Sequence, residues 1–116
     1  MKIATILPYK ENYTTKGPGA VSLWVSDFLK YSKFKKDITV YGSTNHRNYL
    51  SKNYINVKID KIKSRFFSST NEYTKKLINN LNKEKFDLVE LHNRPVMLNN
   101  IKANTNSKII FYFHND

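Results

Sequence analysis

The chain has 116 residues, a length that suits one domain and lies near the lower limit for a sheet covered by helices on both faces. It has no cysteine, which excludes a disulfide framework and thiolate metal sites and fits a reducing compartment. The net charge of +11 invites a nucleic-acid or anionic-membrane reading, but Lys, Asn, Ile and Tyr make up 50 of the 116 residues and Arg only 3, a skew that AT-rich coding produces.

The first segment, Ile3 to Pro8, is a short apolar run ending at proline and reads as a strand buried on both faces. It lacks the longer apolar region and small-residue cleavage site of a signal peptide, so a cytoplasmic protein is expected. Residues 9–19 are polar and close on Lys16-Gly17-Pro18-Gly19, a loop. From Ala20 the period changes: Val21, Trp24, Val25, Phe28 and Leu29 fall on one helical face running to about Ser32. Ile38 to Tyr41, closed by Gly42, reads as a second strand, and Tyr54 to Ile59 as a third. Ser43 to Asn53 between them is a polar loop in which His46 is expected to be exposed.

Residues 61–69 are ambiguous. Between Asn71 and Lys85, the residues Tyr73, Leu77, Ile78 and Leu81 define a helix that Thr70 or Asn71 would cap. Asp87 to His92 is a fourth strand, Pro95 opens a helix with Met97, Leu98 and Ile101 as its apolar face, and Lys108 to Phe113 is a fifth strand. The run Ile109 to Phe113 is the longest apolar stretch and far too short to span a bilayer. The basic residues are scattered. Lys33, Lys35 and Lys36 form one cluster and Lys58, Lys61, Lys63 and Arg65 another, neither within a nucleic-acid motif, so both read as solvated lysines.

Strands alternating with helices predict an α/β, Rossmann-like three-layer domain: a mainly parallel sheet of about five strands with helices on both faces. Ligands bind such sheets at the carboxyl ends of the strands, near the switch in strand order. Three polar constellations fall there: the Gly17/Gly19 loop, His92-Asn93-Arg94, and His114-Asn115-Asp116. The glycine loop precedes a helix start, where free N–H groups attract anions. It fits neither the dinucleotide fingerprint nor a phosphate-binding P-loop, and a merely flexible turn explains it equally well. His, Asn and Arg supply proton exchange, paired donors and acceptors, and an anion fork, the mixture that hydroxyl-rich sugars require. A turn and capping cluster before Pro95 is the alternative for His92-Asn93-Arg94, and a ring bonded to backbone at the sheet edge is the alternative for His114. A zinc site from His92, His114 and Asp116 lacks metal-type spacing. Trp24 and the aromatics on helical faces read as core, whereas Tyr9 and Tyr13 in the loop after the first strand are placed to flank a sugar.

Met1-Lys2-Ile3-Ala4, Gly17-Pro18-Gly19-Ala20, Glu90-Leu91-His92-Asn93-Arg94-Pro95 and Phe113-His114-Asn115-Asp116 together resemble the amino-terminal domain of retaining GT-B glycosyltransferases of family 4, across essentially the whole chain. The resemblance implies one Rossmann-like, acceptor-side domain over residues 1–116, a fragment of an enzyme whose carboxyl-terminal half binds the donor. The implied activity is hexosyl transfer with retention from a nucleotide-sugar such as a UDP- or GDP-sugar, without metal or other cofactor, in cell-envelope or polysaccharide biosynthesis. His114 would lie at the reaction centre, with Gly17 and Gly19 near the donor phosphates and His92, Asn93, Arg94, Asn115 and Asp116 facing substrate. The implied partners are the nucleotide-sugar and a sugar or lipid-linked acceptor, with peripheral contact at the anionic inner face of the membrane and no specific nucleic acid. Pro18 stands where many relatives have a glycine, and it removes a donor from the loop. The alternative is a stand-alone Rossmann-like module that binds a nucleotide or anionic sugar without catalysis.

Overall fold

Five parallel strands hydrogen-bond in the order β3-β2-β1-β4-β5 in a computed structural model that describes residues 1–59 and 68–114. In chain order these are β1 (Ile3–Tyr9), α1 (Ala20–Tyr31), β2 (Ile38–Ser43), β3 (Tyr54–Asn56), α2 (Ser69–Glu84), β4 (Leu88–His92), α3 (Val96–Asn104) and β5 (Lys108–Tyr112). A single 3-10 turn, Lys35–Asp37, leads into β2. The α/β Rossmann-like architecture is therefore the one that the alternating periodicities predict.

Side-chain alternation along each strand divides the interior into two layers. Ile3 and Leu7 of β1, with Ile38 and Val40 of β2, pack with Val21, Val25 and Leu29 of α1. Ala4 and Ile6 of β1, Tyr41 of β2, and Val89 and Leu91 of β4 pack with Tyr73, Leu77 and Leu81 of α2 and Met97 and Ile101 of α3. Each fully buried aliphatic side chain contributes about 2 kcal/mol relative to exposure.

Boundaries moved where local hydrogen bonding decided them. Helix α2 begins at Ser69, and its cap is Ser68, whose hydroxyl accepts from the Asn71 amide at 3.0 Å. It ends on Lys85 in the left-handed region (φ 56°), where the Lys85 amide returns to the Leu81 carbonyl. Strand β3 is shorter than its apolar pattern suggests, since only Tyr54–Asn56 find a partner in β2. Of the ambiguous stretch 61–69, residues 61–67 lie outside the described residues.

The connection from β2 to β3 crosses over without a helix, so its polar residues need another anchor. They find it in the loop after β1: Thr15 donates to Asn48 O at 3.0 Å and Leu50 to Tyr13 O at 3.1 Å. Tyr13 is fully buried beneath this contact and stacks on Tyr54 at 5.2 Å, so it is core and not a sugar platform. No described helix is long and apolar enough to cross a membrane.

Candidate functional site at the carboxyl edge of the sheet

Strand β1 lies beside both β2 and β4, so the loops that follow β1 and β4 part in opposite directions and leave a crevice between them. Backbone strain gathers at this edge. Lys10 (φ 67°) follows β1, and Asn93 (φ 53°) and Arg94 (φ 62°) follow β4, all non-glycine residues in the left-handed region.

Alternation on β4 sends Glu90 and His92 to the face that carries α1, where Thr5 of β1 and Tyr112 of β5 meet them. The Glu90 carboxylate accepts from the Thr5 hydroxyl at 2.8 Å and from the Tyr112 hydroxyl at 3.2 Å. Burial, and then the neighbouring Glu90 charge, push the Tyr112 phenol up, which keeps it a donor at neutral pH. The Tyr112 ring stacks on His92 with centroids 4.7 Å apart and planes 6° from parallel.

The two histidines singled out in the sequence touch directly: His92 Nδ1 and His114 Nε2 are 2.8 Å apart. One ring must donate and the other accept, so a single proton serves the contact. The His114 amide donates to the Asn93 side-chain oxygen at 2.8 Å, which fixes the end of β5 to the turn after β4. His92 is only 1% exposed, and its pKa is lowered to about 4, first by burial and then by His114. His114 is half-buried and reaches solvent. The pair thus presents a buried neutral imidazole that orients an accessible one.

Trp24 departs from its expected core role. It is 41% exposed, stacks on Phe28, and sets its ring 5.5 Å from each of His92, Tyr112 and His114. Helical periodicity groups Trp24 with Val21 and Val25 but cannot show that α1 lies over β1 and leaves this stripe at its flank. Arg94 is exposed just before α3, and its side chain makes no hydrogen bond or ion pair with the cluster among the described residues. Asn115 and Asp116 lie outside the described residues. Among those described, no group of three His, Asp or Glu side chains is arranged to hold a metal ion.

The glycine loop is already filled. The Glu11 carboxylate accepts from the Ser22 amide at 3.0 Å, in the first turn of α1, and lies against Gly19 so closely that a Cβ there would overlap it. Gly17 supplies the positive φ of the turn (67°), and its carbonyl accepts from the Asn12 side chain. The anion site expected at this helix start exists, and the protein's own carboxylate occupies it. Sequence reading missed Glu11 because it precedes the helix by nine positions, far outside the usual capping window.

Glu11→Ala is expected to lower the unfolding free energy by about 1 kcal/mol, as for other lost helix caps. Gly19→Ala should cost a similar amount by expelling the carboxylate. Urea denaturation of the double variant should then show less than the sum of the two, and full additivity would mean that the two residues do not act through one contact.

No family model matches the chain, and no curated protein matches it.

Proposed function

We propose that the chain is the acceptor-side domain of a nucleotide-sugar-dependent glycosyltransferase of the retaining GT-B type, acting at the cytoplasmic face of the cell envelope. The observation that supports this reading is the His92–His114 pair at the carboxyl edge of a parallel sheet ordered β3-β2-β1-β4-β5. Glycosyl transfer develops charge at the anomeric carbon and the departing diphosphate, and it needs donors positioned before the reaction. His92 and Asn93 hold His114 in one orientation, and the ring nitrogen of His114 that does not face His92 serves a sugar hydroxyl. Trp24 and the exposed Phe113 offer apolar faces to the C–H side of a sugar ring.

In this reading the donor-binding half lies outside residues 1–116. Glu11 then acts as a stand-in for the donor phosphate, leaving the α1 start when the diphosphate arrives, because two anions do not share one helix terminus. The test is turnover by the longer gene product with UDP- or GDP-hexoses, followed as released nucleoside diphosphate. His114→Ala should lower kcat by about 100-fold or more, the usual effect of removing a positioned donor. Residues 1–116 alone should show none. Turnover by the 116-residue chain alone, or undiminished kcat in His114→Ala, would overturn the reading.

A further inference from the structure

We propose that a second site, a cavity across the carboxyl ends of β1, β2 and β3, binds a phosphorylated sugar or polyol, with Lys10, Arg47 and Lys58 holding the phosphate. The cavity measures about 680 Å³, within the range of small-molecule sites. Its described walls carry Lys10, Arg47, Lys58 and His46, with Tyr9 and Tyr49 as aromatic surfaces and no carboxylate. Among the described residues the ion pairs are Lys2–Glu84 and Lys30–Asp27, so no carboxylate neutralises these three cations there.

Their position carries the inference. Ser69, in the first turn of the 16-residue helix α2, lines the same cavity. A helix start is the positive end of its dipole, and cations placed there repel it. Glu72 in the first turn of α2 answers the helix itself but does not line the cavity, so among the described residues the three cations there face no carboxylate. The lysines at the opposite edge of the sheet differ. Lys30, Lys35, Lys36 and Lys52 line a pocket of about 400 Å³ beside the carboxyl-terminal end of α1, where cations are favourable without any ligand.

The walls are also held in place. Asn56 accepts from the Thr44 amide at 2.9 Å and donates to its carbonyl at 3.1 Å, Ser43 donates to Val57 O at 2.6 Å, and Lys76 donates to Lys58 O at 2.6 Å. The ends of β2 and β3, and with them the backbone of Lys58, are therefore braced against each other and against α2. A phosphate monoester suits this frame, because its two negative charges and several acceptor oxygens match an Arg fork, two ammonium groups and a helix start. The tyrosines and the volume leave room for a polyol or sugar body.

Titration of the 116-residue chain with glucose 6-phosphate, followed by amide NMR, should shift Lys10, Thr44 to Arg47 and Asn56 to Lys58 saturably, while glucose at the same concentration leaves them in place. Arg47→Gln with Lys58→Gln should weaken binding by about tenfold or more, as expected for lost charge-assisted bonds, and Lys36→Gln with Lys52→Gln should leave it nearly unchanged. Equal weakening by both pairs would reveal diffuse attraction and overturn the site, as would shifts confined to other residues. Competing vesicles of phosphatidylglycerol that release the hexose phosphate would assign the phosphate to a lipid headgroup, and vesicles that leave it bound would assign it to a soluble compound; either supports the site. The inference does not depend on glycosyl transfer, since His114→Ala lies outside this cavity and should bind glucose 6-phosphate normally.

Discussion

Lowering the pH from 6.5 to about 4 is expected to remove about 3 kcal/mol of stability through His92 alone. In the unfolded chain His92 takes up its proton at the ordinary histidine pKa of 6.5, whereas in the fold it resists until about 4. Between those values the unfolded state binds more protons, so stability falls as pH falls, and the loss is complete below the folded value. Three contacts impose the resistance: Tyr112 stacked on one face, the indole of Trp24 at 5.5 Å, and the His114 ring at 2.8 Å. Carboxylates also titrate in the lower part of this window, so the measurement is a comparison. Urea unfolding of the wild type and of His92→Phe, at pH 7 and at pH 4.5, should show a shallower pH dependence in the variant. Equal slopes would mean that His92 is not the group responsible. The same window matters for function, because protonating His92 places a charge in a buried site against the ring that it orients.

Truncating Tyr73 to alanine is expected to cost about 3 to 5 kcal/mol, the range for large-to-small changes at a fully buried aromatic. Tyr73 to phenylalanine should cost about 1 to 2 kcal/mol, mostly the unmet hydrogen bond. The separation arises from one break in the sheet. Pro8 has no N–H, and the register of β1 with β2 is interrupted between Ile6 and Tyr9. The Tyr73 hydroxyl donates to the Leu7 carbonyl there at 2.7 Å, while its ring fills the layer between β1, β2 and α2 and packs on Tyr9 at 5.6 Å. Thermal unfolding should fall by roughly 4 to 8 °C for each kcal/mol lost in a domain near this size. If phenylalanine proved as damaging as alanine, the hydroxyl and not the packing would dominate. Tyr73 also fixes the start of α2 against β1, so a weakened phosphate site in Tyr73→Phe is a further consequence of the same bond.

The alternation of apolar runs with helical periods was legible because it is local. Val21, Val25 and Leu29 repeat every four residues whatever the sheet does, and Ile3, Ala4, Ile6 and Leu7 put apolar side chains on both sides of β1 because both faces of a central parallel strand are covered. The carboxyl-edge placement of His92 and His114 followed from the same logic, since both end strands in a parallel sheet.

Contacts between distant segments were not legible. Glu11 in the glycine loop, Trp24 beside two histidines, Thr5 on Glu90 and Tyr73 at the break after Leu7 each join residues that no sequence period connects. Tyr13 and Trp24 exchanged roles for this reason. Helical period placed Trp24 in the core and a loop position placed Tyr13 outside it, but burial depends on which element covers each side chain. The grouping of Lys10, Arg47 and Lys58 has the same origin: they follow three different strands and look like scattered lysine-rich chain until parallel pairing places the three strand ends side by side. The sequence by itself determined the class of fold, the order of its elements and the edge at which the strand ends gather, because these rest on periodicity and strand direction. Only the tertiary structure decided which side chains share that edge and which anion already occupies it, because charges and hydrogen bonds act across a few ångströms of space and not along the chain.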